Sequence, residues 1–196
     1  MQINARMVGA GVAAAVAAGL GYLLLSHDKE PDFATVERDG AFSVRDYPRL
    51  VVAETVSQGL RESALSRGFV ALAGYLAGTG RNGRRIPMTV PVLADGDDDG
   101  RGWRTRFVMP ARLSPEALPA PGNGIVIRAL DARRLAAVRF AGEANDDALA
   151  AHEDELRGWI AEHGHRAAGP AEHAFYNSPL TPGPLRRNEV LIPLAA

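Results

Sequence analysis

The side chains able to do chemistry in this 196-residue chain are five histidines and a mixed set of carboxylates and arginines, with no cysteine among them. Disulfides, thiol nucleophiles and Cys-ligated zinc or iron–sulfur centres are thereby excluded. Gly78–Gly83 reads GTGRNG, the letters of a dinucleotide fingerprint, but it leaves a helical pattern and enters a strand. The fingerprint needs the reverse order, so a glycine C-cap followed by a loop is the better reading. Asp95–Gly100 reads DGDDDG, like the start of an EF-hand loop, yet Arg106 stands at the twelfth position in place of a bidentate glutamate. A solvated hairpin tip fits that stretch. His163 and His165 flank Gly164 where a helix ends, and positive charge there complements the helix dipole. His152 and His163 fall on the apolar side of that helix, as hydrogen-bonded core or rim residues. No Ser-His-Asp set with a local motif and no H-E-x-x-H occurs. The chain reads as a protein that binds, not one that catalyses.

The elements that must position a binding surface come in two copies. VRDYPRLVVA (Val44–Ala53) is echoed by IRALDARRLAAV (Ile127–Val138): each opens with a β-branched residue and arginine, passes a break and resumes an apolar run. A helical pattern follows each. Leu65, Phe69, Leu72 and Leu76 make one apolar face, and Leu149, Leu156 and Ile160 make another. The pairs Ala64-Leu65 and Ala148-Leu149 stand about 84 residues apart, as do Tyr75-Leu76 and Trp159-Ile160. Two further strand-like runs close each half, ending in Val108-Met109-Pro110 and Leu191-Ile192-Pro193. The expectation is an α+β fold: a distorted antiparallel β-barrel built from two pseudo-symmetric βαββ repeats, at about 42–110 and 125–194, with two helices. PMTVPVL (Pro87–Leu93) is the third element of its half, and its prolines cut the strand short at a mouth of the sheet, leaving room for a guest.

One asymmetry between the halves bears on function. The flank of the first helix carries Val70, Ala73, Gly74 and Ala77, whereas the equivalent flank of the second carries Asp154, Arg157, Gly158 and Ala161. Small apolar residues let a flat apolar ligand approach the helix backbone. Arg81, Arg84, Arg85, Arg186 and Arg187 supply cations for a ligand with an anionic end. Packing of the same flank on the other half, or on a protein partner or second copy, is the alternative.

Composition places no obstacle to a single core: 46% of residues are hydrophobic, 23% are charged and the net charge is −1. So neutral a chain has nothing with which to neutralise a run of phosphates, and nucleic-acid binding is not expected. Met7–Leu25 carries no charge and in a helix would span about 28 Å, close to the thickness of a bilayer core. No small-x-small cleavage site follows directly, so residues 1–32 read as a retained signal-anchor helix and linker, and 33–196 as the binding domain. Arg6, just before the run, favours a cytoplasmic N-terminus with the domain on the exported side.

FSVRDYPRLVVAETV, GFVALAGYLAGTGRNGRRIPMTVPV, RFVMP and FYNSPLTPGPLRRNEVLIPL, in order from Phe42 to Leu194, resemble the SOUL haem-binding protein family. MTVPV (Met88–Val92) and RRNEV (Arg186–Val190) are the most specific pieces. The resemblance implies a barrel of two βαββ repeats, similar to bacterial effector-binding domains. It implies reversible binding of haem or a related tetrapyrrole, without a general enzymatic role. The implied cleft involves Phe69, Val70, Ala73, Gly74 and Ala77, with Tyr176 and the TPGPLRR loop opposite. Arg186 and Arg187, with Arg67, would face the propionates, whose carboxylates suit guanidinium forks. Some members place a histidine, proposed as axial ligand, where this chain has Asp46. Aspartate is a poor haem ligand, so the guest would be held by burial and propionate pairing.

Overall fold

The structure, a computed structural model, describes residues 30–78, 85–178 and 181–195. Met7–Leu25, Arg81 and Arg84 lie outside that set. No helix among the described residues is long and apolar enough to cross a membrane.

Nine strands form one antiparallel sheet: β1 (Ala34–Asp39), β2 (Phe42–Tyr47), β3 (Leu50–Gln58), β4 (Val92–Gly96), β5 (Gly102–Val108), β6 (Val126–Leu130), β7 (Arg133–Ala141), β8 (Glu172–Phe175) and β9 (Arg187–Pro193). Helix α1 (Arg61–Ala77) follows β3 and helix α2 (Asp146–Glu162) follows β7. The strand order is β1-β2-β7-β9-β8-β4-β5-β3-β6. Exchanging β2 with β6, β3 with β7, β4 with β8 and β5 with β9 reverses the order from β2 onward and leaves it unchanged. The duplication is therefore present in the topology, with its axis between β4 and β8.

Two expectations are corrected. Each half is ββαββ, because the breaks at Pro48-Arg49 and Asp131-Ala132 separate β2 from β3 and β6 from β7, and the two strands on either side of each break pair with strands of the other half and not with each other. The barrel does not close, since the sheet ends at β1 on one side and β6 on the other and remains a curled half-barrel. Register also shifts one equivalence. Arg45 stands opposite Leu135, and Arg128 opposite Val52, so Val52 and Leu135 are partners under the pseudo-symmetry. Their neighbours are Val108 and Pro193, whereas the sequence pairs Val108 with Leu191. The slip is two residues, so every side chain keeps its face.

Both helices cover the same face of the sheet. Beneath α1 lie Ala53, Leu72, Tyr75, Leu76 and Phe107, and beneath α2 lie Val44, Ala136, Leu156, Trp159, Ile160 and Ile192. Ala-rich α1 begins without a side-chain cap and ends at Gly78, whose φ of 76° suits glycine. Asn145 caps α2 by accepting from the Ala148 N–H at 2.9 Å, and Asp146 and Asp147 complement its dipole. The opposite, concave face gathers Tyr47, Val52, Leu93, Val108, Leu135, Ala174, Tyr176 and Leu191.

Candidate functional site

PMTVPVL does not enter the sheet as a strand. Ladder pairing starts only at Val92, after a cis Val90–Pro91 peptide. Pro87 and Pro91 lack a donor, and Thr89 substitutes for a missing ladder bond by donating its hydroxyl to the Val108 carbonyl at 2.7 Å. Ile86, Met88 and Val90 are buried. Beside this segment β5 runs on past its last pair, where the Met109 N–H donates to the Val51 carbonyl at 2.8 Å. Pro110 and the turn closed by Leu113 then carry the chain away.

These interruptions open a cleft of about 520 Å³ at one rim of the half-barrel. Leu50, Val51, Met88, Val108, Met109 and Leu113 make its apolar walls, together with Pro31, Pro48, Pro87 and Pro110. Thr89 and Ala111 also line it, and so do the charged Glu30, Asp32, Arg49 and Arg112, all four of which are exposed. The volume falls within the ordinary range of small-molecule pockets, and apolar walls with a few charges at the rim suit an amphiphile. That strands stop at prolines to leave a mouth is as the sequence indicates. The lining residues themselves went unnamed there, although Pro48, Pro87 and Pro110 mark the rim.

None of the eight residues named from the sequence lines this cleft. On α1, Phe69 lies edge-on to Phe107 with ring centroids 5.4 Å apart, and it joins Ala73 at the margin of the core beneath the helix. Val70, Ala73 and Gly74 are half-buried and Ala77 is exposed. At 100° per residue Val70, Gly74 and Ala77 point away from the buried Leu72, Tyr75 and Leu76, so this flank is an outward stripe that the sheet does not seal. Tyr176 is placed differently from expectation. It belongs to the concave-face cluster, on the other side of the sheet from α1, and its hydroxyl donates to Glu189 at 2.7 Å. Arg186 donates to the Thr181 carbonyl at 2.8 Å. Arg67 donates to the Gln58 carbonyl.

Arg187 is tied into a buried network. Its guanidinium sits 3.7 Å over the Tyr176 ring, donates to Glu189 at 3.0 Å and reaches Glu30 at 2.5 Å. Glu189, wholly buried, also receives Arg45 at 2.7 and 3.2 Å. Burial pushes the Glu189 carboxyl up, but Arg45, Tyr176 and Arg187 outweigh burial and hold it below the usual carboxylate range. In the other half Glu54 receives Arg106 and Arg128, each at 3.0 Å, while Asp95 receives Arg104 at 2.8 Å and Arg106 at 2.7 Å. Both clusters lie on the concave face, and Arg187 touches the cleft wall only through Glu30.

The described histidines are engaged away from the cleft. His152 stacks on Phe140 and bonds Glu155, His163 stacks on Trp159, and His165 bonds Glu37. His173 is buried on the helix-covered face near Trp103. Among the described residues no group of three or more histidines and carboxylates is arranged to hold a metal ion. Asp46 is clamped by both arms of Arg134 at 2.7 and 2.8 Å.

A duplicated, curled antiparallel sheet with both helices on one face defines an α+β half-barrel domain with an apolar cleft of small-molecule size at its rim. Residues 28–193 match the family model for the SOUL heme-binding protein, and the chain belongs to that family. Its fold is similar to the crystal structure of the EcmrR C-terminal domain, with a TM-score of 0.62 at 10% identity over 79% of this chain and 96% of that one. An EcmrR–DNA complex seen by cryo-EM aligns with a TM-score of 0.58 at 12% identity, over 96% of this chain and 68% of that one. A crystal structure of a hydrolase from Listeria innocua aligns with a TM-score of 0.52 at 12% identity, over 88% and 95%. At such identities the likeness shows the fold alone. A search of curated proteins finds no significant match.

Proposed function

We propose that the chain binds haem or a related tetrapyrrole reversibly, as a non-catalytic carrier or buffer, in the proline-rimmed cleft. The observation that carries this is the cleft itself: apolar walls for the macrocycle, and the exposed guanidiniums of Arg49 and Arg112 at the rim for its carboxylates, in a chain of a haem-binding family. The residues fit the organic macrocycle better than its iron. No described histidine lines the cleft, and the soft donors on its walls are the thioethers of Met88 and Met109. When bound, the iron would supply a redox-active, ligand-accepting centre, while the protein contributes burial and charge. Burying several hundred Å² at about 25 cal/mol per Å² supports micromolar affinity after the costs of association.

The half-open stripe on α1 favours a second reading, in which Val70, Ala73 and Ala77 carry the guest or dock a protein partner. Two substitutions separate the two surfaces. Leu113→Glu places a charge on the cleft wall and should weaken protoporphyrin binding about tenfold or more, with Val70→Glu close to wild type. The opposite pattern moves the site to the helix, and no effect from either removes both. Hemin and protoporphyrin should bind with similar affinity. A large preference for hemin with a sharp low-spin Soret band would show that the iron bond dominates.

A further inference from the structure

We propose that the cleft opens onto a lipid bilayer and exchanges its amphiphilic guest with that bilayer, not with bulk water; only the identity of the guest rests on the tetrapyrrole reading. The uncharged run Met7–Leu25 ends five positions before Glu30, and Glu30, Pro31 and Asp32 are themselves part of the cleft lining. Five residues, even fully extended, reach about 18 Å. A domain of this size is about 40 Å across, so a tether of that length cannot let the molecule turn over. The attachment point is fixed as well. Glu30 is held by Arg187 of β9 at 2.5 Å, and Phe33 packs on Tyr47 with ring centroids 5.0 Å apart. The chain therefore enters the domain along the rim of the cleft. Were that run seated in a bilayer, as its length and lack of charge suggest, the mouth would face the bilayer surface, with the exposed Arg49 and Arg112 toward the headgroups. The β4–β5 hairpin tip lies at the other end of β5, about 20 Å from the cleft wall at Val108.

The absence of cysteine makes the test clean, because one introduced thiol takes one fluorophore. Ser114→Cys, next to the Leu113 wall, and Asp99→Cys, at the hairpin tip, are exposed positions outside the cleft lining. With the full chain in phosphatidylcholine–phosphatidylglycerol vesicles carrying a headgroup quencher, the Ser114→Cys label should be quenched several-fold more than the Asp99→Cys label. Equal quenching, no quenching, or stronger quenching at the tip overturns the proposal. In the unlabelled chain, twenty flexible residues inserted after Ser26 should slow protoporphyrin transfer from vesicles at least tenfold while leaving affinity unchanged. Unaltered transfer also overturns it. If the label near the cleft is quenched but protoporphyrin binds neither chain, the orientation stands and the tetrapyrrole reading fails.

Discussion

At the scale of single residues, the concave face concentrates charge where alternation along a strand suggests solvent. Arg45, Glu54, Asp95, Arg106, Glu172 and Glu189 occupy positions that read as the polar side of half-buried strands, and all are buried. The sheet's curl encloses that side, and curvature leaves no mark in a period of two. Hence Tyr176 and Arg187, which the family resemblance places beside a ligand, are both hydrogen-bonded to Glu189. On the helix-covered face His173 carries a different cost. Its Nδ1 has no hydrogen-bond partner among the described residues, and burial, helped by Arg61, lowers its pKa from 6.5 to about 4. Between those values the unfolded chain binds more protons than the folded one, so stability rises with pH across that window and is lost as pH falls through it. The loss is at most about 3 kcal/mol. Urea titrations from pH 7 to pH 4 should show wild-type stability falling relative to that of His173→Phe by an amount of that order. Parallel curves would place the imidazole in contact with water.

At the scale of elements, helix α1 sits close on its sheet because of one glycine. A Cβ at Gly68 would lie 2.4 Å from Thr105 Oγ1 and 2.9 Å from Thr105 Cβ. Gly68→Ala should therefore cost about 1–3 kcal/mol through overpacking, although alanine is the better helix former by about 1 kcal/mol. Adding Thr105→Ala should restore part of the loss, since the Thr105 hydroxyl has no partner among the described residues. Urea midpoints at constant slope measure both, and a raised midpoint for the single variant would mean that the helix shifts away at no cost. Helices were the most legible elements. Leu72 and Leu76 of the first predicted face, and Leu149, Leu156 and Ile160 of the second, are buried as their spacing indicates, while Leu65 and Phe69 of the first are half-buried. The two short strand-to-strand connections were less legible, because Pro48-Arg49 and Asp131-Ala132 interrupt an apolar run without a glycine to mark a turn. The cleft was half legible. Its prolines announced an interruption, but its walls come from β3, β5 and the 85–91 segment, which only the folded register brings together.

At the scale of the whole molecule, the sheet is least secure at its ends. β1 pairs only with β2, is mostly exposed and carries a bulge between Thr35 and Glu37, whereas β9 lies between β7 and β8 with Glu189, Val190 and Ile192 fully buried. Hydrogen exchange should protect β9 amides on the order of a hundredfold more than those of β1, and similar protection would make the extra strand part of the main cooperative unit. The inner strands carry a further consequence. β2 pairs with β7 of the other repeat, and β6 pairs with β3. Each repeat thus lends its first strand to its twin, like two hands with fingers laced. An ancestral unit of this kind would have been complete only as a clasped pair of chains, and a gene carrying one repeat today would encode a strand with nothing of its own to grip.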